Sequence, residues 1–350
     1  MTPIGRGGST PVKRPEAVAA ALWLILAAGP VPAALGQVLT IRDVQYTVNS
    51  NGASNHDGEV IDCTGGIVVA KFAGYRPRVI LQDPNDPDGW GAIQAKDWIY
   101  PFDMFNTVQA GDWVEFTNIL VEEHVGTTFL QRQATHNPTF TVVSQGNPLP
   151  PPILVSVSDV PAPVYDPVLQ GWYVDNHDAE PYESMRIIVR DVTVTAMALG
   201  KAVDNYRLEN AQGEACWAAD YMNEDAYPDV YHPFVSIGRH FCAVVGVFEQ
   251  YTHLATRWDY YQLLPQESAD LAICGDGDAD GDVELDDFTR FGECITGPTC
   301  DDAPGGCDPP AWTVPPTSRP IQYCLMMDFD FDGDVDLADF GRWQSLCGAP

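Results

Sequence analysis

Basic side chains are scarce in this sequence. Lys and Arg number 18 against 49 Asp and Glu, for a formal net charge of −31. Phosphate backbones and anionic membrane surfaces are gripped through a cationic footprint. The deficit therefore argues against double-stranded nucleic acid as a partner. Long apolar runs are also missing. The longest, Val18 to Ala28, has 11 residues, and a membrane-spanning helix takes about 20, so no span is expected in the mature chain. No HExxH, GxSxG or phosphate-cradling glycine loop occurs, which removes the usual metalloprotease, hydrolase and nucleotide-binding readings. There is no CxxC pair and no histidine beyond His253, so zinc lacks its ordinary ligand spacing among the C-terminal cysteines. His177, His232 and His240 read as surface or turn residues, and paired acids such as Glu122-Glu123 carry no weight in so acidic a chain. The expectation is a protein without enzymatic activity.

What remains is enough to fold. Hydrophobic residues make up 45% and aromatics 11% of 350 residues, which excludes wholesale disorder. The 30 Gly and 29 Pro point to short strands and many turns rather than long helices. Residues 1–36 have the form of an export signal. Arg6, Lys13 and Arg14 precede the apolar core, and Ala34 and Gly36 stand before a cleavage point at Gln37. The expected location is secreted or at the cell surface. All nine cysteines follow that point, six of them within the last 77 residues. In an oxidising compartment such density reads as disulfide stapling. Cys216 and Cys242 are candidate partners, and Cys63 is the odd one out.

Strand-like runs fill residues 37–147: Val38–Tyr46, Val60–Phe72, Val79–Gln82, Trp113–Glu122 and Thr139–Val143, separated by turn residues such as Asn51-Gly52 and Asp83 to Gly89. A proline-rich linker, Gly146 to Pro152, follows. A second β pattern occupies 148–268, with runs at Met185–Val194, Tyr206–Leu208 and Phe241–Phe248. The two blocks read as copies of one unit. Val79–Pro84 matches Asn205–Asn210, Trp90 matches Trp217, Val108–Phe116 matches Val235–Ala243, and Phe140–Val143 matches Tyr261–Leu264. Five or six strands in this order suggest a small barrel. The aromatics Trp90, Trp98, Tyr100 and Trp113, and Trp217, Tyr221, Trp258, Tyr260 and Tyr261, are either core or a stacking platform for carbohydrate.

Pro150 to Val155, Glu180 to Ile187 and Val192 to Thr195 resemble the non-catalytic OB-fold region of large secreted bacterial nucleases. The resemblance covers roughly residues 40–268 and implies an OB fold. The catalytic domain of those proteins, with its Asn, Glu, Asp and His motifs, has no counterpart, so nuclease activity is not carried over.

The most specific pattern lies near the C-terminus. Asp276, Asp278, Asp280, Gly281, Asp282, Glu284 and Asp287 fit positions 1, 3, 5, 6, 7, 9 and 12 of a calcium loop. Asp328, Asp330, Asp332, Gly333, Asp334, Asp336 and Asp339 repeat it 52 residues later. Calcium is a hard cation that takes six to eight oxygens, and position 6 must turn sharply, which favours glycine. Each loop leads into a short amphipathic stretch: Leu285, Phe288 and Phe291 in one, Leu337, Phe340 and Trp343 in the other. Loop-then-helix repeats with Asp at position 12 resemble dockerin modules, as at the ends of secreted planctomycete-like bacterial proteins. The resemblance implies two Ca2+ sites and attachment to an extracellular, cohesin-like protein, although positions 10 and 11 (Leu285-Asp286 and Leu337-Ala338) are not the usual hydroxyl pair. Residues 269–350 are expected to form this module. The whole reads as a mainly β chain: two tandem OB-like β-barrel domains followed by a small α-helical dockerin-like calcium module. It would serve as a scaffold or binding protein, or else as an accessory substrate-binding component of an extracellular polysaccharide-degrading or nuclease system.

Overall fold

β-rich runs, many of them buried along nearly their whole length, build the computed structural model. It describes residues 38–74, 77–200, 204–223, 230–253, 258–295, 324, 326–330 and 335–347. The export signal, Cys300, Cys307, Asp332 and Asp334 lie outside the described residues.

In the first sheet, β1 (Val38–Leu39) runs beside β2 (Val60–Phe72). Strands β3 (Arg78–Gln82), β4 (Ala92–Asp97), β5 (Trp113–His124), β6 (Thr127–Arg132) and β7 (Thr139–Ser144) follow. The sheet closes on itself in the order β2-β3-β4-β6-β5, with β5 returning to β2 and β4 parallel to β6. Closure removes the open edges. It requires a sharp bend in β2, supplied at Gly65 (φ +60°), where a Cβ would sit 1.6 Å from the Val114 carbonyl oxygen. The core inside is formed by Ile61, Cys63, Val79, Leu81, Ile93, Val114, Phe116, Ile119 and Leu130, among others.

The second sheet repeats the plan. After β8 (Ile153–Leu154), β9 (Val164–Asp166) and β10 (Gly171–Tyr173) come β11 (Arg186–Leu199), β12 (Asn205–Glu209), β13 (Ala215–Ala219), β14 (His240–His253), β15 (Trp258–Leu264) and β16 (Leu271–Ala272). The ring is β11-β12-β13-β15-β14, closed by β14 on β11, with β13 parallel to β15. In both sheets the first, second, third, fifth and fourth strands of the ring follow one another, the order of the OB barrel.

Three sequence expectations are corrected. Residues 41–45 form a helix, α1 (Ile41–Gln45), rather than continuing a strand, and a second short helix, α2 (Asp103–Thr107), lies between β4 and β5. Thr40 caps it: its hydroxyl accepts from the Asp43 amide at 3.1 Å, and the Asp43 carboxylate accepts from the Thr40 amide at 2.9 Å, a reciprocal capping box. The counterpart of Tyr261–Leu264 is β6, not Phe140–Val143, because β7 is an extra strand outside the first ring. Cys216 is not bonded to Cys242. It is a free thiol buried inside the second ring, while Cys242 pairs with Cys274, and Cys294 with Cys324. Of the two readings open for the aromatics, Trp217, Tyr260 and Tyr261 follow the core one, each about 2% exposed or less.

The rings meet along a polar seam. Across it, the Trp90 amide donates to the Pro181 carbonyl at 2.6 Å and the Thr252 amide to the Val125 carbonyl at 2.6 Å. Arg78 pairs with Glu249 at 2.8 Å, and Val69, Ala70, Ile80 and Val247 form a small apolar patch. Trp217 meets Trp172 and Tyr260 edge-to-face, each at 4.9 Å between ring centres. Trp217→Ala should cost about 3–5 kcal/mol of stability in chemical denaturation, whereas Tyr100→Ala, at an 83% exposed position, should change it by less than about 0.5 kcal/mol. Equal effects would contradict this packing.

Candidate metal centre

Two short helices, α3 (Asp287–Cys294) and α4 (Leu337–Leu346), follow the two acidic loops. Their spacing of three brings Phe288, Phe291, Phe340 and Trp343 into mutual contact at 5.5–6.1 Å between ring centres. The buried part of this cluster rests on the outside of the second ring, against Ile188, Ala243 and Val245. The Cys242–Cys274 disulfide ties β14 to the residue two places before the first loop.

Folding draws the predicted ligands together in part. Carboxylate oxygens of Asp276, Asp278 and Asp287 lie within 4.8 Å of one another, as do those of Asp328, Asp330 and Asp339. These are positions 1, 3 and 12 of each loop. The hydrogen bonds correspond as well. The amide at position 2 donates to the position 12 carboxylate at 2.6 Å in both loops, from Gly277 to Asp287 and from Phe329 to Asp339. The amide at position 9 donates to its second oxygen, at 2.7 Å from Glu284 and 2.8 Å from Asp336. Position 12 thus organises each loop through the backbone. Asp280, Asp282 and Glu284 form a separate, exposed group. Asp336 is the N-cap of α4, its carboxylate accepting from the Ala338 amide at 2.6 Å. Asp332 and Asp334 lie outside the described residues.

The electrostatics are those of crowded anions. Asp276, Asp287, Asp328 and Asp339 are each at most 1% exposed. Burial pushes Asp276 up to about 6, with the charge of Asp287 adding to it. Burial raises Asp287 and Asp339 as well, and Glu284 is raised chiefly by Asp282. Arg190 of β11 reaches Asp328 at 3.0 Å, leaving Asp328 Oδ1 without a hydrogen-bond partner among the described residues. A hard, all-oxygen donor set with an orphaned buried oxygen fits calcium.

A second group of functional interest escaped the sequence reading. His177 Nε2 lies 3.2 Å from Asp259 Oδ2, and the Tyr261 hydroxyl donates to Glu180 Oε2 at 2.6 Å. His177 and Glu180 line a cleft of about 580 Å³ at the seam, together with Trp90, Asn49, Asp175 and Asp178. They come from separate stretches of the chain, at Asn49, Trp90 and Asp175 to Glu180, with Asp259 and Tyr261 behind, and match no motif. His232 and His240 are also held, by Ser268 at 3.0 Å and Asp191 at 2.8 Å.

No protein-family model matches the chain. No characterised protein matches it in sequence. Among solved structures, it is similar to an OB domain from Methanosarcina mazei, with 15% identity over 31% of this chain and 86% of that one, at a TM-score of 0.22. It is also similar to fission yeast Pot1 with ssDNA, with 12% identity over 64% and 82%, at 0.27. A murine DNA binding protein bound with ds DNA shares 10% identity over 59% and 93%, at 0.25. The partner expectation is corrected on these findings. Two of these solved structures contain single- or double-stranded DNA, and the net charge of −31 of this chain is unevenly spread. Of that total, −15 falls in residues 270–350 (18 acids and 3 bases), and a sum over the chain does not describe one barrel face. Of the apolar residues in and before the two helices, Phe291 and Trp343 pack against the second ring, while Leu285, Phe288 and Leu337 are exposed.

Gly281, at position 6, has φ +106°, and a Cβ there would stand 2.5 Å from the Phe234 ring of the second barrel. Gly281→Ala should cost about 1–3 kcal/mol, read as earlier thermal loss of the tertiary circular dichroism of the C-terminal aromatics. An unchanged transition would contradict the close approach.

Proposed function

We propose that the chain is an exported calcium-binding protein without enzymatic activity. Two OB-like barrel domains, residues 37–147 and 148–268, form its scaffold. A dockerin-like module, residues 269–350, folds around two calcium ions on the second barrel. The observation that carries this reading is the repeated convergence of positions 1, 3 and 12 with the same backbone hydrogen bonds. Asp276, Asp278 and Asp287 would hold one ion, and Asp328, Asp330 and Asp339 the other, with Asp280 and Glu284 completing the first loop. Calcium would supply charge neutralisation, which couples its binding to folding of the loops.

The two disulfides fit an oxidising compartment and support export. Cys242–Cys274 ties the first loop to β14, and Cys294–Cys324 joins the end of α3 to the residue four places before the second loop. Cys63 and Cys216 have no part in this. Both are buried, and burial pushes each thiol up to about 12, which makes them poor nucleophiles.

Calorimetric titration of the chain from Gln37 onward with calcium should resolve two sites. Asp276→Ala should remove one, and Asp328→Ala the other. Absence of binding heat and of any structural change would overturn the proposal.

A further inference from the structure

The seam between the barrels holds three carboxylates that the calcium module does not use, Glu180 and Glu183 buried and Glu123 half-buried. Glu123 comes from the end of β5. Glu180 and Glu183 come from a single 3-10 turn and the residue after it, at the entry to β11. Glu183 is 1% and Glu180 4% exposed. The first barrel reaches into Glu183: the Thr128 amide donates to its Oε1 at 3.0 Å and Gln45 Nε2 at 3.3 Å. Its Oε2 has no hydrogen-bond partner among the described residues. Glu123 Oε1 accepts from the Ser54 amide at 2.7 Å and the Thr128 hydroxyl at 2.5 Å. Glu180 accepts from Tyr261 and lies against Gly52, where a Cβ would meet its Oε2 at 2.5 Å.

The surrounding charges are few. Asp57 accepts from the Glu123 amide at 2.9 Å and adds negative charge. His177 faces Glu180 from its own turn, with Asp259 of β15 behind it. Arg78, Glu249 and Tyr221 form a separate group along the same seam: Arg78 pairs with Glu249, and Tyr221 donates to Glu249. No cation among the described residues pairs directly with Glu180 or Glu183.

We propose that this seam is a proton-controlled latch, closed while Glu123, Glu180 and Glu183 hold protons among them and loosened as they ionise. Ionised, Glu180 and Glu183 would stand as buried anions beside the half-buried Glu123, with repulsion directed across the boundary between barrels. Their environment has the matching direction. Burial first, and then the charge of their neighbours, raises all three, Glu180 from 4.5 to about 8. His177 is raised as well, chiefly by its bond to Asp259. Groups raised on folding hold more protons in the folded state, so stability falls as pH climbs from their ordinary values through the higher folded ones. For Glu180 the window runs from about 4.5 to about 8. Asp259 is lowered, and its contribution is lost only in acid.

The test is amide hydrogen exchange of the full chain at saturating calcium, corrected for intrinsic rates, from about pH 5 to about pH 9. The reporters are two cross-seam amides with backbone acceptors, Trp90 and Thr252. Their protection should fall by roughly tenfold or more, while amides inside each ring hold theirs. Glu183→Gln, or Glu180→Gln if the first does not fold, should flatten the fall. Wild-type protection that stays level with pH overturns the latch, as does an undiminished fall in a folded glutamine variant.

Discussion

A carboxylate taken out of water must find a cation, a set of donors or a proton. That constraint governs both the tail and the seam of this acidic chain. In the tail, Asp276, Asp287, Asp328 and Asp339 are buried by folding and answered by backbone amides and by Arg190. Those partners leave several like charges within 4.8 Å of one another, which is the condition a divalent cation relieves. In the seam, amides, hydroxyls and Gln45 serve the carboxylates, and the proton is the remaining counter-charge.

The closed rings make these placements precise enough to matter. Because β2 and β5 close one sheet, and β11 and β14 the other, the outer faces are rigid platforms with no free edge in the ring. The outer face of β11 and β14 carries Ile188, Ala243 and Val245 for the tail helices and Arg190 for the second loop. The end of β14 carries Gln250 and Thr252 for the seam, where the Gln250 carbonyl accepts from Thr127 at 2.7 Å. One long strand therefore touches all three parts of the molecule. The second barrel is the hub, and the tail is built onto it rather than held away from it.

Local patterns were legible and distant meetings were not. Val60–Phe72 is a strand over the range its alternation suggests, and loop positions 1, 3 and 12 converge as their spacing implies. The repeat of two similar β units was visible at their second and fourth strands. It failed at the last strand because β7 adds a run of similar character outside the ring. Thr40 to Gln45 misled because Ile41 and Val44 suit a strand as well as a helix, and only the Thr40–Asp43 capping box tells them apart. The Cys242–Cys274 bond depends on where β16 pairs with β14, which no cysteine spacing reveals. The seam was invisible because Glu123 lies 57 residues from Glu180 in a chain with 49 acids, so none of its members stands out.

Charge relief by calcium is the central claim, and hydrogen exchange of the intact chain before and after chelation addresses it most directly. Protection should collapse in α3, α4 and the loop before each, and persist in the strands of both rings, since their cores do not depend on the ion. Tail protection that survives complete removal of calcium would contradict the account and leave the aspartates as an acidic surface on the second barrel.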